Sequence, residues 1–265
     1  MTNLEPRTVL ATIPGWEDAS VSELPGGLSN RTWLVTSQRG KAVLKIDAQT
    51  REPPFNPRPD EEIIQRRAAE RGLANKVLHA SETVYLTEYL DGEVWTREHL
   101  ADEHNLARLA KLLRKVHSLP LTGRYFEPAK AADLYLARVP RRYAATSTRC
   151  ADIVRQLLAP QNLCCCHNDL VAGNIIATPG LRLLDWEYAC DNDPFFDLAT
   201  VVAHHKLPAA SADLLLDAYF DGDGGRWRPQ LEQQMRLYTA LLWLWSASRP
   251  DADDDRLQAI LARLD

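Results

Sequence analysis

The sequence has no apolar run long enough to cross a bilayer, so no membrane insertion is expected. Residues 1–6 lack the basic start and the apolar stretch of a signal peptide. Cysteine is sparse, with five residues, and no pair has the C-x-x-C spacing of common metal and redox motifs. These absences favour a cytoplasmic protein without a disulfide framework.

Three of the five cysteines are consecutive, at 164–166. They end a short apolar run that is typical of a buried strand, in which cysteine behaves as a small hydrophobic residue. We therefore expect these cysteines to pack in a core, and their spacing predicts neither a redox nor a metal role.

Basic residues are not in excess, because 31 Lys and Arg stand against 36 Asp and Glu, and the net charge is −5. This balance argues against nucleic acid as a partner and is compatible with a cationic substrate. The glycine-rich signatures of P-loop and dinucleotide-binding folds are both missing. The 265 residues, 45% of them hydrophobic, suffice for one large domain or two lobes.

The sequence does contain a set of polar residues typical of phosphoryl transfer. Asp169 is followed five residues later by Asn174 and sixteen residues later by Asp185. The Asp169 carboxylate can accept the proton of an attacking hydroxyl, and the oxygens of Asn174 and Asp185 are hard ligands suited to Mg²⁺. A predicted strand over 163–166 precedes Asp169, and a predicted hairpin over 175–184 leads to Asp185. Either aspartate alone would be typical of a solvated turn, but the complete pattern predicts a kinase site.

Three segments around this pattern are His167-Asn168-Asp169 with Asn174, Leu184-Asp185-Trp186-Glu187-Tyr188-Ala189, and Phe196-Asp197-Leu198-Ala199. They resemble the choline/ethanolamine kinase and thiamine kinase branch of the aminoglycoside-phosphotransferase-like superfamily. The resemblance extends from about residue 24 to about residue 199. It implies a protein-kinase-like bilobal α+β fold, ATP and Mg²⁺ as cofactors, and a small-molecule hydroxyl as the phosphate acceptor.

The resemblance makes Asp169 the catalytic base and a substrate contact, and it makes Asn174 and Asp185 catalytic metal ligands. Glu187 follows the metal-binding aspartate closely, where it could orient Asp185, help to hold a second metal or contact the substrate. An ordinary surface glutamate would have the same sequence signature. Asp197 resembles the aspartate that anchors the catalytic loop through hydrogen bonds.

A phosphate-binding loop is predicted just before a strand over 32–35. Gly26 and Gly27 would let backbone N–H groups approach an anion closely, and Ser29 and Asn30 would add side-chain donors. Two adjacent glycines alone are typical of a plain turn. The position of this turn, before a strand that leads on to a conspicuous lysine, favours the binding function.

Lys45 is a single lysine in the alternating apolar strand over 42–47. The resemblance predicts that it reaches the α- and β-phosphates of ATP, although a strand lysine can also extend into solvent. Its expected partner is a glutamate of the helix that opens over 59–68. We predict Glu61 as that partner, and Glu62 is the alternative.

Glu88, Tyr89 and Leu90 lie where a predicted strand runs into a turn. In the resembling folds this segment joins the two lobes and offers backbone groups to adenine. The three residues are therefore candidate ATP contacts, although an ordinary core strand is compatible with the same sequence.

Residues 1–90 are predicted to form a small, mostly β nucleotide-binding lobe, and residues 91–265 a larger helical lobe for catalysis and substrate binding. Leucines at helical spacing predict a helix over 105–117. Further helices are predicted over 131–143, 150–158, 210–219, 229–248 and 254–264.

The acceptor must be recognised by the second lobe. Trp243 and Trp245 lie in a predicted late helix, and aromatic faces bind quaternary ammonium and thiazolium-like cations. Aromatic residues at helical spacing are also typical of a core. Acidic residues at 191–193 and 221–223 could instead bind the ammonium groups of an amino sugar.

We therefore predict an ATP- and Mg²⁺-dependent kinase that phosphorylates the hydroxyl of a small cationic metabolite: choline, ethanolamine or thiamine. One alternative is an aminoglycoside or other sugar O-phosphotransferase, and another is a non-catalytic nucleotide-binding pseudo-kinase. The joint presence of Lys45, Asp169, Asn174 and Asp185 argues against a pseudo-kinase.

Overall fold

The computed structural model describes residues 4–24, 30–47, 56–156 and 162–264. Strands in these residues are β1 (Ser20–Glu23), β2 (Asn30–Ser37), β3 (Gly40–Asp47), β4 (Val77–Ala80), β5 (Val84–Glu88), β6 (Glu93–Val94), β7 (Cys164–Cys166), β8 (Ile175–Ala177), β9 (Leu181–Leu183) and β10 (Cys190–Asn192). Helices are α1 (Pro6–Leu10), α2 (Arg58–Glu70), α3 (Arg97–Leu100), α4 (Glu103–His117), α5 (Pro128–Leu136), α6 (Ala144–Arg155), α7 (Pro194–His205), α8 (Ala209–Tyr219), α9 (Arg228–Ala247) and α10 (Asp254–Leu261).

The chain divides into two compact units. Unit 1 comprises Met1–Val94 and Asn174–Ala189, and unit 2 comprises Trp95–Gly173 and Cys190–Asp265. The first segment of unit 1 ends at Val94, close to the lobe boundary predicted at residue 90. Unit 1 also contains the hairpin of β8 and β9. The reason is strand pairing, because β8 pairs antiparallel with β6 in a three-stranded sheet.

Unit 1 is built on an antiparallel five-stranded sheet in the order β1-β2-β3-β5-β4. Side chains alternate along β3, so Leu44 and Ile46 are buried on one face together with Leu10 and Trp16 from the α1 segment. Lys45 points to the other face, opposite Thr32 and Tyr85 in the register of the sheet. This alternation separates the apolar core of unit 1 from its polar face.

Helix α2 lies between β3 and β4 in the chain and packs against β4. Pro59 lies in its first turn, where a missing backbone N–H costs nothing. Its buried residues, Glu61, Ile64, Gln65 and Ala68, recur at helical spacing and form one face. That face brings a carboxylate as well as apolar groups into the interior of unit 1.

Unit 2 is mostly helical, and it also contains the antiparallel pair of short strands β7 and β10. The helix predicted over 105–117 is present as α4, and Asp102 caps its start by accepting the N–H of Asn105 at 2.8 Å. Helix α7 was not predicted, although Asp193 and Pro194 carry a typical start signal: the Asp193 carboxylate accepts the N–H of Phe195 at 2.9 Å. No helix in the described parts of the chain is long and apolar enough to cross a bilayer.

Helix boundaries differ most around α5 and α6. We predicted one helix over 131–143, but α5 ends at Leu136, and a 3₁₀ turn over Arg141–Tyr143 follows Pro140. Proline disfavours helical conformation in the residue before it, which separates the two elements. The predicted α+β organisation is confirmed, with β structure concentrated in the N-terminal region and helices in the C-terminal region.

Candidate functional site

The hairpin of β8 and β9 brings two predicted metal ligands together in unit 1. Asn174 immediately precedes β8, and Asp185 follows β9. The backbone N–H of Leu184 donates to the carbonyl oxygen of Asn174 at 2.8 Å, which extends the pairing beyond the strands. Asp185 has a φ of 61°, an uncommon conformation for a residue with a side chain. Asn174 and Asp185 are therefore neighbours in the fold, although they lie eleven residues apart in the sequence.

Lys45 lies beside this hairpin. Its Nζ forms an ion pair with Asp185 Oδ2 at 2.8 Å, and the two side chains are 17% and 27% exposed. Burial alone would lower the pKa of Lys45, but the negative charges of Asp185, Glu187 and Glu61 outweigh burial and raise it. Lys45 is thus held cationic at neutral pH, as binding to phosphate oxygens requires.

The structure distinguishes the two candidate glutamates of α2. Glu61 is fully buried, whereas Glu62 forms a surface ion pair with Arg66 at 2.8 Å. Glu61 acts on Lys45 through its charge and forms a direct ion pair with Arg58, Oε2 to Nη1, at 2.8 Å. The direct ion pair of Lys45 within the described residues is with Asp185, and the assignment of Glu61 as its partner stays a prediction.

Arg58 is a site residue that the sequence analysis missed. It is 1% exposed, and besides Glu61 it binds Asp47 through Nη2 and through Nε at 3.2 Å. Its guanidinium lies 4.8 Å from the ring centroid of Tyr85. Burial would lower the pKa of Arg58, but Glu61 and Asp47 raise it. Arg58 precedes the predicted helix over 59–68, so helical spacing did not indicate its burial.

Glu187 is 6% exposed, which excludes the alternative of an ordinary surface glutamate. Its charge raises the pKa of both Lys45 and Arg58. The segment is tied down by Asn56, whose N–H donates to the Glu187 carbonyl at 2.7 Å and whose side-chain amide donates to the Ala189 carbonyl at 2.6 Å. Glu187 therefore belongs to the polar interior around Lys45.

The polar interior of unit 1 fits a divalent cation. Among the described residues, four carboxylates act on two cationic side chains, so negative charge is in surplus within this group. Asn174 adds an amide oxygen next to Asp185. Such hard oxygen donors suit Mg²⁺. The charged side chains are Asp47, Glu61, Asp185, Glu187, Lys45 and Arg58.

The predicted phosphate loop falls largely outside the described residues. Gly26, Gly27 and Ser29 lie outside them, and so does the side chain of Asn30, whose backbone begins β2. Their assignment to the nucleotide stays a prediction.

The predicted hinge residues end β5. The backbone N–H of Glu88 donates to the Lys76 carbonyl at 2.8 Å, and that of Tyr89 donates to the Lys41 carbonyl at 3.2 Å. Of the three predicted adenine contacts, Leu90 is the one whose N–H has no backbone acceptor within the described ranges. The adenine contact of Leu90 stays a prediction.

Glu88 and Tyr89 line a cavity of about 810 Å³ together with Ile13 and Trp16. Ile13 and Trp16 belong to the cluster on the α1 side of the sheet, whereas Lys45 points to the opposite face. The cavity that Glu88 and Tyr89 line thus adjoins the α1 side of the sheet.

In unit 2, Asp197 anchors the loop that carries Asp169. Its buried carboxylate accepts the backbone N–H of His167 at 2.9 Å and that of Asn168 at 2.7 Å. The same carboxylate contacts His117 Nε2 at 3.0 Å. These bonds are the anchoring contacts that the resemblance implied for Asp197.

A second anchor holds the other end of this loop. The N–H of Ala172 donates to His205 Nε2 at 3.0 Å, so this nitrogen must be unprotonated. His205 Nδ1 then donates to the Val201 carbonyl at 2.9 Å. Burial lowers the pKa of His205, which favours the neutral ring that this arrangement needs.

The charge of Asp169 acts on two half-buried tyrosines. Burial, with a further contribution from the Asp169 charge, raises the pKa of Tyr135 and of Tyr238. Tyr238 also forms a hydrogen bond of 2.7 Å with His204 Nδ1. The charge of the predicted catalytic carboxylate thus reaches two aromatic residues, which the sequence did not indicate because they come from α5 and α9.

Acid is expected to destabilise the protein through His204. Burial, with His205 and two arginines nearby, lowers the pKa of His204 to about 4 from an ordinary value of 6.5. Because the unfolded chain binds the proton more readily, stability should fall as the pH drops through this window, by on the order of 2 kcal/mol between about pH 7 and about pH 5. Urea unfolding across this range measures the loss.

The His204→Gln variant should lose less stability than the natural protein over the same pH range, because glutamine does not titrate. The matched control is His104→Gln, since His104 is exposed on α4. Equal acid sensitivity of the natural protein and His204→Gln would contradict the assignment.

The two tryptophans predicted to contact the substrate pack against other residues of unit 2. Trp243 is 2% exposed in the helical core, and its ring meets Tyr143 edge-on at 6.0 Å. The ring of Trp245 is covered by Arg249 and Arg256, at 5.0 and 5.9 Å. Neither indole face is presented to a ligand by these contacts, and a substrate role for the two residues stays a prediction.

The chain is similar in sequence to known proteins. The chain is similar to Protein LicA of Haemophilus influenzae, with 25% identity over 91% of this chain and 76% of LicA. It is also similar to the thiamine kinase of Escherichia coli (strain SMS-3-5 / SECEC), with 28% identity over 68% of this chain and 65% of that protein.

A solved structure supports the fold assignment. A choline/ethanolamine kinase family protein from Mesorhizobium loti superimposes with a TM-score of 0.74 and 26% identity, covering 97% of this chain and 90% of that one. The predicted kinase-like fold and the predicted superfamily are thereby confirmed. Since the sequence profile of the phosphotransferase enzyme family, APH, matches residues 20–238, the chain belongs to that family.

Proposed function

We propose that the chain is an ATP- and Mg²⁺-dependent kinase that phosphorylates the hydroxyl of a small cationic metabolite of the choline, ethanolamine or thiamine class. The observation that carries the proposal is the polar interior of unit 1, where Lys45 and Asp185 pair beside Asn174 and Glu187. One cation for phosphate and a surplus of oxygen donors for a metal are the two parts that nucleotide triphosphate binding needs.

On the nucleotide side, the ion pair between Lys45 and Asp185 breaks, and Lys45 binds oxygens of the α- and β-phosphates. Asn174 and Asp185, with Glu187 beside them, would hold Mg²⁺, and the ion would supply positive charge against the negative charge that develops on the phosphates. The backbone N–H of Leu90 donates to the purine. Arg58 pairs with Glu61, which would leave Asp185 and Glu187 to hold the metal.

On the acceptor side, Asp169 orients the hydroxyl and takes its proton. The acceptor oxygen forms a bond to the γ-phosphorus as the bond from that phosphorus to the β–γ bridging oxygen breaks, and ADP leaves. Asp197 and His205 hold the loop of Asp169 from its two ends, which supports a fixed carboxylate geometry.

Two features near Asp169 support a small cationic acceptor. Tyr135 and Tyr238, on which the Asp169 charge acts, are the proposed aromatic contacts for a cation, and such contacts are worth on the order of 0.5–2 kcal/mol each. The negative charge of Asp169, which raises the pKa of both tyrosines, is attractive for the same cation.

The acidic residues considered for an amino sugar are engaged elsewhere. Asp191 accepts the backbone N–H groups of Thr122 and Gly123 at 2.7 and 2.9 Å. Asp193 caps α7, and Asp221 pairs with Arg114. These partners disfavour the aminoglycoside alternative, which needs several available carboxylates converging on ammonium groups.

The proposal is tested by Mg²⁺-dependent ADP release from ATP in the presence of choline, ethanolamine, thiamine, kanamycin or simple amino sugars. We expect stimulation by one of the first three compounds and none without Mg²⁺. Stimulation by kanamycin or an amino sugar alone would replace the proposal with the sugar kinase. Tight Mg²⁺·ATP binding without stimulation by any compound would favour a non-catalytic protein.

A further inference from the structure

Strand β7 places two thiols side by side directly before the catalytic loop. Side chains alternate along a strand, so Cys164 and Cys166 share one face of β7 and Cys165 occupies the other. The sulfur atoms of Cys164 and Cys166 are 3.5 Å apart. Cys166 is fully buried, whereas Cys164 is half-buried, which leaves an approach from the surface.

His117, the last residue of α4, completes a group of three metal-ligand side chains. One ring nitrogen of His117 and the sulfurs of Cys164 and Cys166 all lie within 4.8 Å of one another. These residues come from two elements of unit 2 separated by more than forty positions in the chain. Sequence spacing could not have revealed the group.

The hydrogen bonds of His117 already orient the ring as in many protein metal sites. Nε2 contacts the Asp197 carboxylate at 3.0 Å, and a carboxylate can only accept, so Nε2 carries the proton. In the neutral ring, Nδ1 then has the lone pair, which accepts the hydroxyl of Tyr219 at 2.7 Å. A histidine that donates one N–H to a carboxylate and offers its other nitrogen is the usual second-layer arrangement around protein metal ions.

The distances need little adjustment for a tetrahedral ion. Metal–sulfur bonds of about 2.3 Å put two sulfurs about 3.8 Å apart in a tetrahedral zinc site. The observed 3.5 Å separation of the Cys164 and Cys166 sulfurs is close to this value. Rotation of Tyr219 away from His117 would free the nitrogen ligand.

The charges around the group favour a cation. Asp197 contacts His117 directly, and Asp193 is close enough for its pKa to respond to His117. Arg114, the cationic side chain that acts on Tyr219, is paired with Asp221. An ion at this position would therefore meet carboxylates without an opposing free cation among these neighbours.

We propose that Cys164, Cys166 and His117 form a binding site for a soft divalent metal ion of the Zn²⁺ class, and that its occupation slows phosphoryl transfer. Binding forms two metal–thiolate bonds and one metal–nitrogen bond, and the two thiol protons pass to solvent. The effect on turnover follows from Asp197, because the carboxylate that holds His117 also holds the backbone of His167 and Asn168.

Cadmium is a suitable probe, because a Cd²⁺–thiolate bond gives an ultraviolet charge-transfer absorption that does not depend on enzyme activity. The natural protein should develop this absorption with about one equivalent of Cd²⁺ per chain. The Cys164→Ala variant should bind Cd²⁺ at least about tenfold more weakly, because one of its three ligands is lost. The matched control is Cys165→Ala, whose thiol lies on the opposite face of β7, and it should bind like the natural protein.

Two results would contradict the proposed metal site. Absence of the absorption in the natural protein, or equal absorption in Cys164→Ala, would overturn the proposal. If Cys164→Ala fails to fold, alkylation of the natural protein replaces it: Cd²⁺ should protect Cys164 from iodoacetamide, as read by mass spectrometry. Unchanged alkylation of Cys164 would overturn the proposal equally.

The effect on turnover rests on the proposed kinase function and is measured separately. Zn²⁺ at a concentration that fills the site should lower kcat while leaving KM for ATP unchanged, and Cys164→Ala should resist this inhibition. Equal inhibition of Cys164→Ala would assign the inhibition to another site. If no acceptor supports turnover, the kinase proposal fails, whereas the absorption still reports on the metal site.

Discussion

Replacing Asp169 with asparagine is expected to lower kcat by at least about 10²-fold, which is the usual minimum contribution of a general base. Asparagine has nearly the same shape but cannot take up the acceptor proton at neutral pH. Nucleotide affinity should be unchanged, because the nucleotide side of the proposal lies in unit 1 and Asp169 lies in unit 2. The measurement combines steady-state turnover with the best acceptor and a titration of Mg²⁺·ATP binding.

The control is Asp213→Asn, which makes the same chemical change at a half-exposed aspartate of α8 that pairs with Arg228. It should keep full turnover. Turnover of Asp169→Asn within a factor of about two of the natural protein would remove Asp169 from the reaction, given that general-base losses run to at least about 10²-fold.

Replacing Arg58 with methionine is expected to lower the free energy of unfolding by about 3–5 kcal/mol, the usual cost of removing one partner of a buried ion pair. The variant leaves Asp47 and Glu61 inside unit 1 without the guanidinium that now contacts both, and Arg58 itself is only 1% exposed. Urea denaturation measures the change. Nucleotide affinity should fall as well, because Glu61 would then compete for Lys45.

Two further variants separate this mechanism from a general effect on α2. Arg67 is exposed on the same helix, so Arg67→Met should change stability by less than about 0.5 kcal/mol. In a Glu61→Gln background, Arg58→Met should cost clearly less, because one of the two stranded charges is gone. Equal cost in both backgrounds would show that Arg58 acts mainly by packing over Tyr85.

Local sequence was sufficient for the parts of the site that depend on short spacing. Asn174 and Asp185 flank a hairpin whose strands and turn can be predicted from a dozen residues, and the structure makes them neighbours. Lys45 in an alternating strand was similarly predictable, since alternation alone places it opposite the apolar face of β3. The family and the kinase-like fold followed from the same motifs and are confirmed.

The parts that sequence analysis missed depend on distant residues. Arg58 acquires its importance from Asp47 and Glu61, and Tyr135 and Tyr238 become relevant only because α5 and α9 bring them near Asp169. Helix periodicity did not distinguish Trp243, a core residue, from a residue that could face a ligand, because a buried face has the same spacing in both cases.

By itself, the sequence determined the family, the α+β kinase-like fold and the local order of Lys45, Asp169, Asn174 and Asp185, because hydrogen-bonded hairpins and alternating strands are specified over short stretches of chain. Tertiary structure alone decided that Glu61 and Glu187 lie in the interior and that His117 meets Cys164 and Cys166. Burial and charge neighbours depend on which distant segments pack together, and no spacing within one segment encodes that packing.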